Sequence, residues 1–189
     1  MSENTKPRKR NAEATQARII EVAREVFTEK GYDGARTRAI ADRAGVNVAL
    51  MNRYFGSKEG LFAMAVPPTL TIASLTDGPM DAFGARVASV FVGKQIHDGY
   101  DPTFVLIRSA ASPEAVPILR KALRTQIIEP LAAQLGGEDA LERACLIVAL
   151  ISGLDLTARV LGINCYSDSD GAVMRRRFAA QIQTLVDVP

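Results

Sequence analysis

The sequence predicts an all-α protein, with a small helical head at the N-terminus and a larger helical remainder. Three observations carry this. Apolar residues recur at helical spacing along most of the chain, and no stretch alternates with the period of two that a half-buried strand requires. Serine, threonine, asparagine, glycine and proline fall where helices start and stop. The 189 residues, 48% hydrophobic and 23% charged, are those of a soluble globular protein with ample core.

Taken in order, residues 1–12 carry Lys6, Arg8, Lys9 and Arg10 without an apolar partner and read as a flexible basic arm. Such an arm serves as a solubility tail or contacts phosphates and the minor groove; both readings stand. From about 13 to 30, Ile19, Ile20, Ala23, Val26 and Phe27 form one face of a helix that Gly31 ends. Thr37 is expected to cap the next helix, whose inner face is Ile40, Ala41 and Ala44, with Gly45 closing it. Asn47 caps a third helix running to Phe55, and Ser57 a fourth from Lys58 to about Val66. Two short helices across a glycine turn, behind a longer one, make a helix-turn-helix over residues 13–56, with 57–66 as a linking helix.

Pro67 and Pro68 end or kink that linking helix, because proline lacks an amide donor and clashes with the preceding turn. Residues 67–189 are assigned to one C-terminal domain. Within it, 69–79 are ambiguous, and helices are expected over about 80–97, from Pro102, through 113–135, over 138–161 and over 170–187. Asp155 and Arg159 sit four apart in an apolar helix, a spacing that suits an intrahelical ion pair.

Charge is unevenly placed. Residues 1–58 hold twelve Lys/Arg against seven Asp/Glu, whereas residues 59–189 hold eleven against fourteen. A basic first third suggests that this part meets a polyanion. His97 is the only histidine, which argues against catalytic triads and histidine-rich metal centres. With Asp98 and Asp101 it reads as a helix-end cation rather than an acid–base pair. Cys145 and Cys165 lack metal-ligand or redox spacing, so reduced thiols are expected. No enzyme activity, cofactor or metal is expected, and the absence of a leader or spanning segment points to the cytoplasm.

The third helix must do two jobs. Met51 and Phe55, four apart, share an inward face with Val48, which leaves Ala49, Asn52 and Arg53 outward. Asn and Arg are the side chains that pair bidentately with adenine and guanine edges. Leu50 fits either side: outward it suits a thymine methyl, inward it packs. Thr37 and Arg38 at one helix start, Tyr54 at the end of the reader, and Lys58 after Ser57 are placed to hold phosphates, while Asn47 either joins the DNA contacts or only caps its helix.

The stretch TRAIADRAGVNVALMNRYFGSKEGLF, residues 37–62, resembles the DNA-binding signature of the TetR family of bacterial transcriptional repressors. Thr37, Ile40-Ala41, Ala44-Gly45-Val46, Tyr54-Phe55, Ser57-Lys58-Glu59 and Leu61 carry the match, with Ile19-Ile20, Phe27 and Gly31-Tyr32 before it. Two departures stand out: Asn52-Arg53 occupies the place where the family often has Tyr-His, and Pro67-Pro68 interrupts the helix that usually runs on. The resemblance implies a regulator, most simply a repressor, that binds a pseudo-palindromic double-stranded operator as a dimer and is released by a small-molecule inducer. It also implies that residues 138–161 and 170–187 form the dimer face of a ligand-binding domain.

The aromatic and aliphatic residues Phe83, Val87, Phe91, Phe104, Ile107 and Leu123, with Arg108, are core residues first and candidates for a largely apolar inducer pocket second. The competing functional class is an α-helical regulatory or binding protein acting through protein contacts rather than DNA.

Overall fold

The computed structural model describes residues 6–93, 99–163, 166 and 170–187. Every regular element among these residues is helical, as the sequence predicts. The chain divides into two compact units: residues 1–69 with 98–119, and residues 70–97 with 120–189.

In the first unit, α1 spans Lys6–Gly34 but breaks its helical geometry at Gly31, whose φ of 65° is left-handed. The glycine therefore ends the regular helix where expected. The expected flexible arm is a correction in part. Residues 1–5 lie outside the described residues, but the chain is helical from Lys6 onward. Pro7 is tolerated in a first turn, and Ala12, Glu13, Ala14, Gln16 and Ala17 beyond it are good helix formers that let the helix extend.

Next come α2 (Thr37–Ala44), α3 (Val48–Phe55) and α4 (Lys58–Ala65). The cap of α2 differs from expectation. Arg36 is the N-cap, extended at φ −102° and ψ 129°, and its carbonyl accepts the first helical bond from Ile40. Thr37 is already helical, so its hydroxyl is not what caps the helix. Gly45 closes α2 in the left-handed region, as expected. A single 3₁₀ turn, Pro67–Thr69, follows α4, so the proline pair does stop the linking helix.

The core of this unit is an aromatic cluster. Phe27 and Phe62 meet edge to face at 4.9 Å, Tyr32 meets Phe62 at 5.1 Å, and Phe27 and Tyr32 stack at 6.3 Å. Around it pack Ile19, Ile40, Met51 and Leu61.

The second unit holds α5 (Ala73–Thr76) and α6 (Phe83–Phe91), the latter entered through a 3₁₀ turn over Met80–Ala82. Helix α7 (Pro102–Ser109) belongs instead to the first unit, and the boundary between units falls inside α8 (Ala115–Leu123). This grouping departs from the single domain expected after residue 66. The reason is packing: α7 lies along α1, and Ser109 within it and Asp101 and Ser112 at its two ends bond to residues 28–33 of that helix.

The second unit continues through a π turn at Arg124–Ile128 into α9 (Glu129–Leu135), then α10 (Ala140–Asp155) with a π turn at Leu156–Val160, and α11 (Ala172–Thr184). Its core joins Phe83, Val87, Leu131, Ile147, Phe178 and Ile182. Helices α6 and α11 touch backbone to backbone: a Cβ on Gly84 would stand 2.3 Å from the Ala179 carbonyl oxygen. Asp155 and Arg159 form the expected ion pair at 3.1 Å, yet both are buried rather than solvated.

Candidate nucleic-acid interface

Helix α3 divides by face much as its sequence demands. Met51 and Phe55 are buried, and Ala49, Asn52 and Arg53 are exposed. Val48, read as inward, is only half-buried, because it sits in the first turn, where the helix has not yet met its neighbours. Leu50 is also half-buried, between the two roles open to it.

The helix starts are built as the capping residues predict. The Asn47 side-chain oxygen accepts from the Leu50 amide at 2.7 Å, and the Ser57 hydroxyl from the Gly60 amide at 3.2 Å. Each cap fixes the direction in which its helix leaves the turn. Helix α3 is thereby held with Asn52 and Arg53 facing solvent, while α4 begins directly beyond its end.

The candidate phosphate contacts occupy distinct settings. Arg38 is exposed and Thr37 half-buried, both in the first turn of α2. Tyr54 is half-buried, with the Arg53 guanidinium 5.7 Å from its ring centre. Lys58 is half-buried, and its ammonium lies 4.2 Å from the centre of the Tyr32 ring. Beside it, the Ser57 hydroxyl and its own backbone amide hold the Glu59 carboxyl below the usual range. Burial, followed by the nearby Glu59 carboxylate, pushes the Tyr32 phenol up.

Two family models match the chain. One, described as bacterial regulatory proteins of the tetR family, matches residues 19–65. The other, a tetracyclin repressor-like C-terminal domain, matches residues 81–186. The chain belongs to the TetR family.

It is a transcriptional regulator of that family, whose members bind DNA, typically as dimers, and are not enzymes. It is similar to the HTH-type transcriptional regulator BetI of Burkholderia mallei, 26% identical over 166 residues that span 79% of this chain and 84% of that protein. It is also similar to the HTH-type transcriptional regulatory protein RaaS of Mycobacterium tuberculosis, 53% identical over 53 residues, 28% of this chain and 24% of that one. Among solved structures, a TetR-family regulator from Streptomyces coelicolor A3 superposes with a TM-score of 0.56 at 26% identity, over 100% of this chain and 99% of that one. Reduced NemR from E. coli shares the fold, with a TM-score of 0.69 at 16% identity over 93% and 98% of the two chains.

The candidate pocket residues are less tightly grouped. Phe83 and Val87 are closed into the core of the second unit, while Phe91 and Leu123 are half-buried there. Phe104, Ile107 and Arg108 belong to the first unit, where Arg108 spans from the Phe104 ring, 4.9 Å away, to the carbonyl of Glu29. His97 and Cys165 lie outside the described residues, and Cys145 is exposed. No group of three or more potential metal ligands occurs among the described residues, and none of their helices is long and apolar enough to cross a membrane.

Residues with structural roles in the head also escaped the sequence pattern. Arg24 donates to the Ala65 carbonyl at 2.8 Å and stands 5.4 Å from the Tyr100 ring centre, tying α1 to the end of α4. Ser109 and Ser112 bond to Tyr32 and Asp33. All of these partners lie 30 or more residues apart in the chain, and isolated serines or arginines carry no periodic signal.

Proposed function

We propose that this regulator is a repressor that binds a pseudo-palindromic operator as a dimer and is released by a small-molecule inducer. Asn52, Arg53 and Ala49, with Leu50 at the margin, read base edges in the major groove. Thr37, Arg38, Asn47, Tyr54 and Lys58 hold the flanking phosphates. The observation that carries this reading is the exposure of Ala49, Asn52 and Arg53 on a capped helix whose opposite face, Met51 and Phe55, is buried.

Dimerisation through residues 138–161 and 170–187 is supported by an apolar groove of about 490 Å³ along α10 and α11, lined by Leu146, Leu150, Leu154, Met174 and Phe178 among others. Leu146, 52% exposed, borders that groove, so the apolar patch is continuous and open for a partner to cover. A Leu146→Glu variant is expected to sediment as a monomer and lose operator binding; a dimer by analytical ultracentrifugation would remove this face from the proposal.

The inducer is a largely apolar small molecule held by the second unit, where Phe91 and Leu123 keep partial exposure and Phe83 and Val87 back them. Of the candidate set, Phe104, Ile107 and Arg108 stand apart, since they pack with the head.

Footprinting of the DNA upstream of the gene and its neighbours tests the central reading. A protected inverted repeat, lost in Arg53→Ala/Lys58→Ala and weakened steeply by salt, is the expected result. Protein that binds no fragment at low salt would instead favour action through protein contacts.

A further inference from the structure

We infer that Tyr32 is a positioning residue that fixes the reach of Lys58 towards a DNA phosphate, and that α7 controls it through Ser109. The inference rests on the reading of Lys58 as a phosphate contact.

Lys58 is the first residue of α4, where the positive end of the helix dipole disfavours a cation and four side-chain torsions would let it swing into solvent. Instead its ammonium lies over the Tyr32 ring, at 4.2 Å from the centre. That ring cannot follow the lysine. Tyr32 is 2% exposed, stacked on Phe27 and held edge-on by Phe62. The flexible partner is thus aligned by the rigid one. A cation already confined beside the reader helix loses less rotamer freedom on meeting a phosphate than a free one does.

The same platform is gripped from α7. The Tyr32 amide donates to the Ser109 hydroxyl at 3.0 Å, and Ser109 is fully buried. Gly31, at positive φ, turns the backbone there, and α7 approaches so closely that a Cβ on it would stand 2.8 Å from the Arg108 carbonyl oxygen. Arg108 donates to the Glu29 carbonyl and the Ser112 hydroxyl to Asp33, so the residues on both sides of Tyr32 are tied to the same segment. Displacement of α7 therefore carries residues 29–33 with it and moves the surface on which Lys58 rests. None of Tyr32, Ser109 and Ser112 is needed for reading bases, and their arrangement gives the head a lever on one phosphate contact.

Two measurements decide the matter. In the free protein, the Lys58 ε-methylene protons should show an upfield ring-current shift in NMR spectra that Tyr32→Phe keeps and Tyr32→Leu abolishes; unshifted protons in the parent protein overturn the inference. The second is a double-mutant cycle on a duplex carrying the footprinted repeat, with affinity followed against salt. Lys58→Ala should reduce the logarithmic salt slope by about 0.9 per lost contact. Tyr32→Leu should weaken binding by about 2- to 5-fold with Lys58 present and have little effect in Lys58→Ala, while Tyr32→Phe stays near the parent.

Ser109→Ala should follow Tyr32→Leu in direction, and it decides alone if the leucine variant melts below the assay temperature. Equal losses in both lysine backgrounds overturn the inference while leaving the DNA-binding reading intact. A parent protein that binds no duplex overturns both.

Discussion

The two units of this regulator are held together by different means. The first is laced by polar ties between distant segments: Thr28 to Asp101, Tyr32 to Ser109, Asp33 to Ser112 and Arg24 to Ala65, around one aromatic cluster. The second also has long-range bonds, between Gln183 and both Gly84 and Met80 and from Arg143 to the Leu185 carbonyl, but sets them beside close helix contact at Gly84, a broad apolar core and a buried ion pair. A reader of DNA must hold short helices in fixed directions while presenting polar groups, and directional hydrogen bonds do that. The second unit, proposed to dimerise and to respond to a ligand, presents an apolar groove instead, and its ties through Gln183 and Arg143 gather at the end of α11.

The largest test of this contrast is the buried pair. Asp155→Ala leaves a buried guanidinium without its carboxylate and is expected to cost about 3–5 kcal/mol in urea unfolding. Asp155→Leu combined with Arg159→Met should recover most of that loss, since a matched apolar pair avoids desolvation. A double variant as unstable as the single would mean that the pair does more than satisfy itself.

Next comes Gly84→Ala, expected to destabilise by about 1–3 kcal/mol through overpacking of α6 against α11. In an open helix the same change would stabilise by up to about 1 kcal/mol, so a raised urea midpoint would contradict the close contact.

The smallest effect sits in the first unit. Asn47→Ala should cost about 1 kcal/mol by removing the cap of α3, and Asn47→Ser should restore most of it. If thermal melts show no loss for the alanine variant, the cap is not what holds the reader helix in direction.

The two units also differ in how legible they are. Helix starts and stops in the head were readable because each is local: Asn47 and Ser57 cap the next turn, and Gly31 and Gly45 adopt the left-handed conformation that ends one. The division of α3 into Met51 and Phe55 inside against Asn52 and Arg53 outside follows from a period of 3.6 residues. Local signals erred where two neighbours compete, as at Arg36 and Thr37, where a helix former extends a helix beyond its buried part, as before Glu13, and in the first turn of α3, where Val48 is only half-buried. In the second unit periodicity located α10 and α11 but could not separate closed core from half-open surface: Phe83 and Phe91 lie on one helix face, yet one is closed off and the other half-buried.

By itself, then, the sequence determined the helical class, the reader helix with its caps, and the family signature, because all of these depend on residues within a few turns of one another. Only the tertiary structure decided that α7 joins the head, that Lys58 rests on Tyr32, and that Asp155 and Arg159 are buried as a pair. Those outcomes depend on which distant surfaces meet, and the energy of such a meeting is distributed over contacts that leave no periodic trace in the chain.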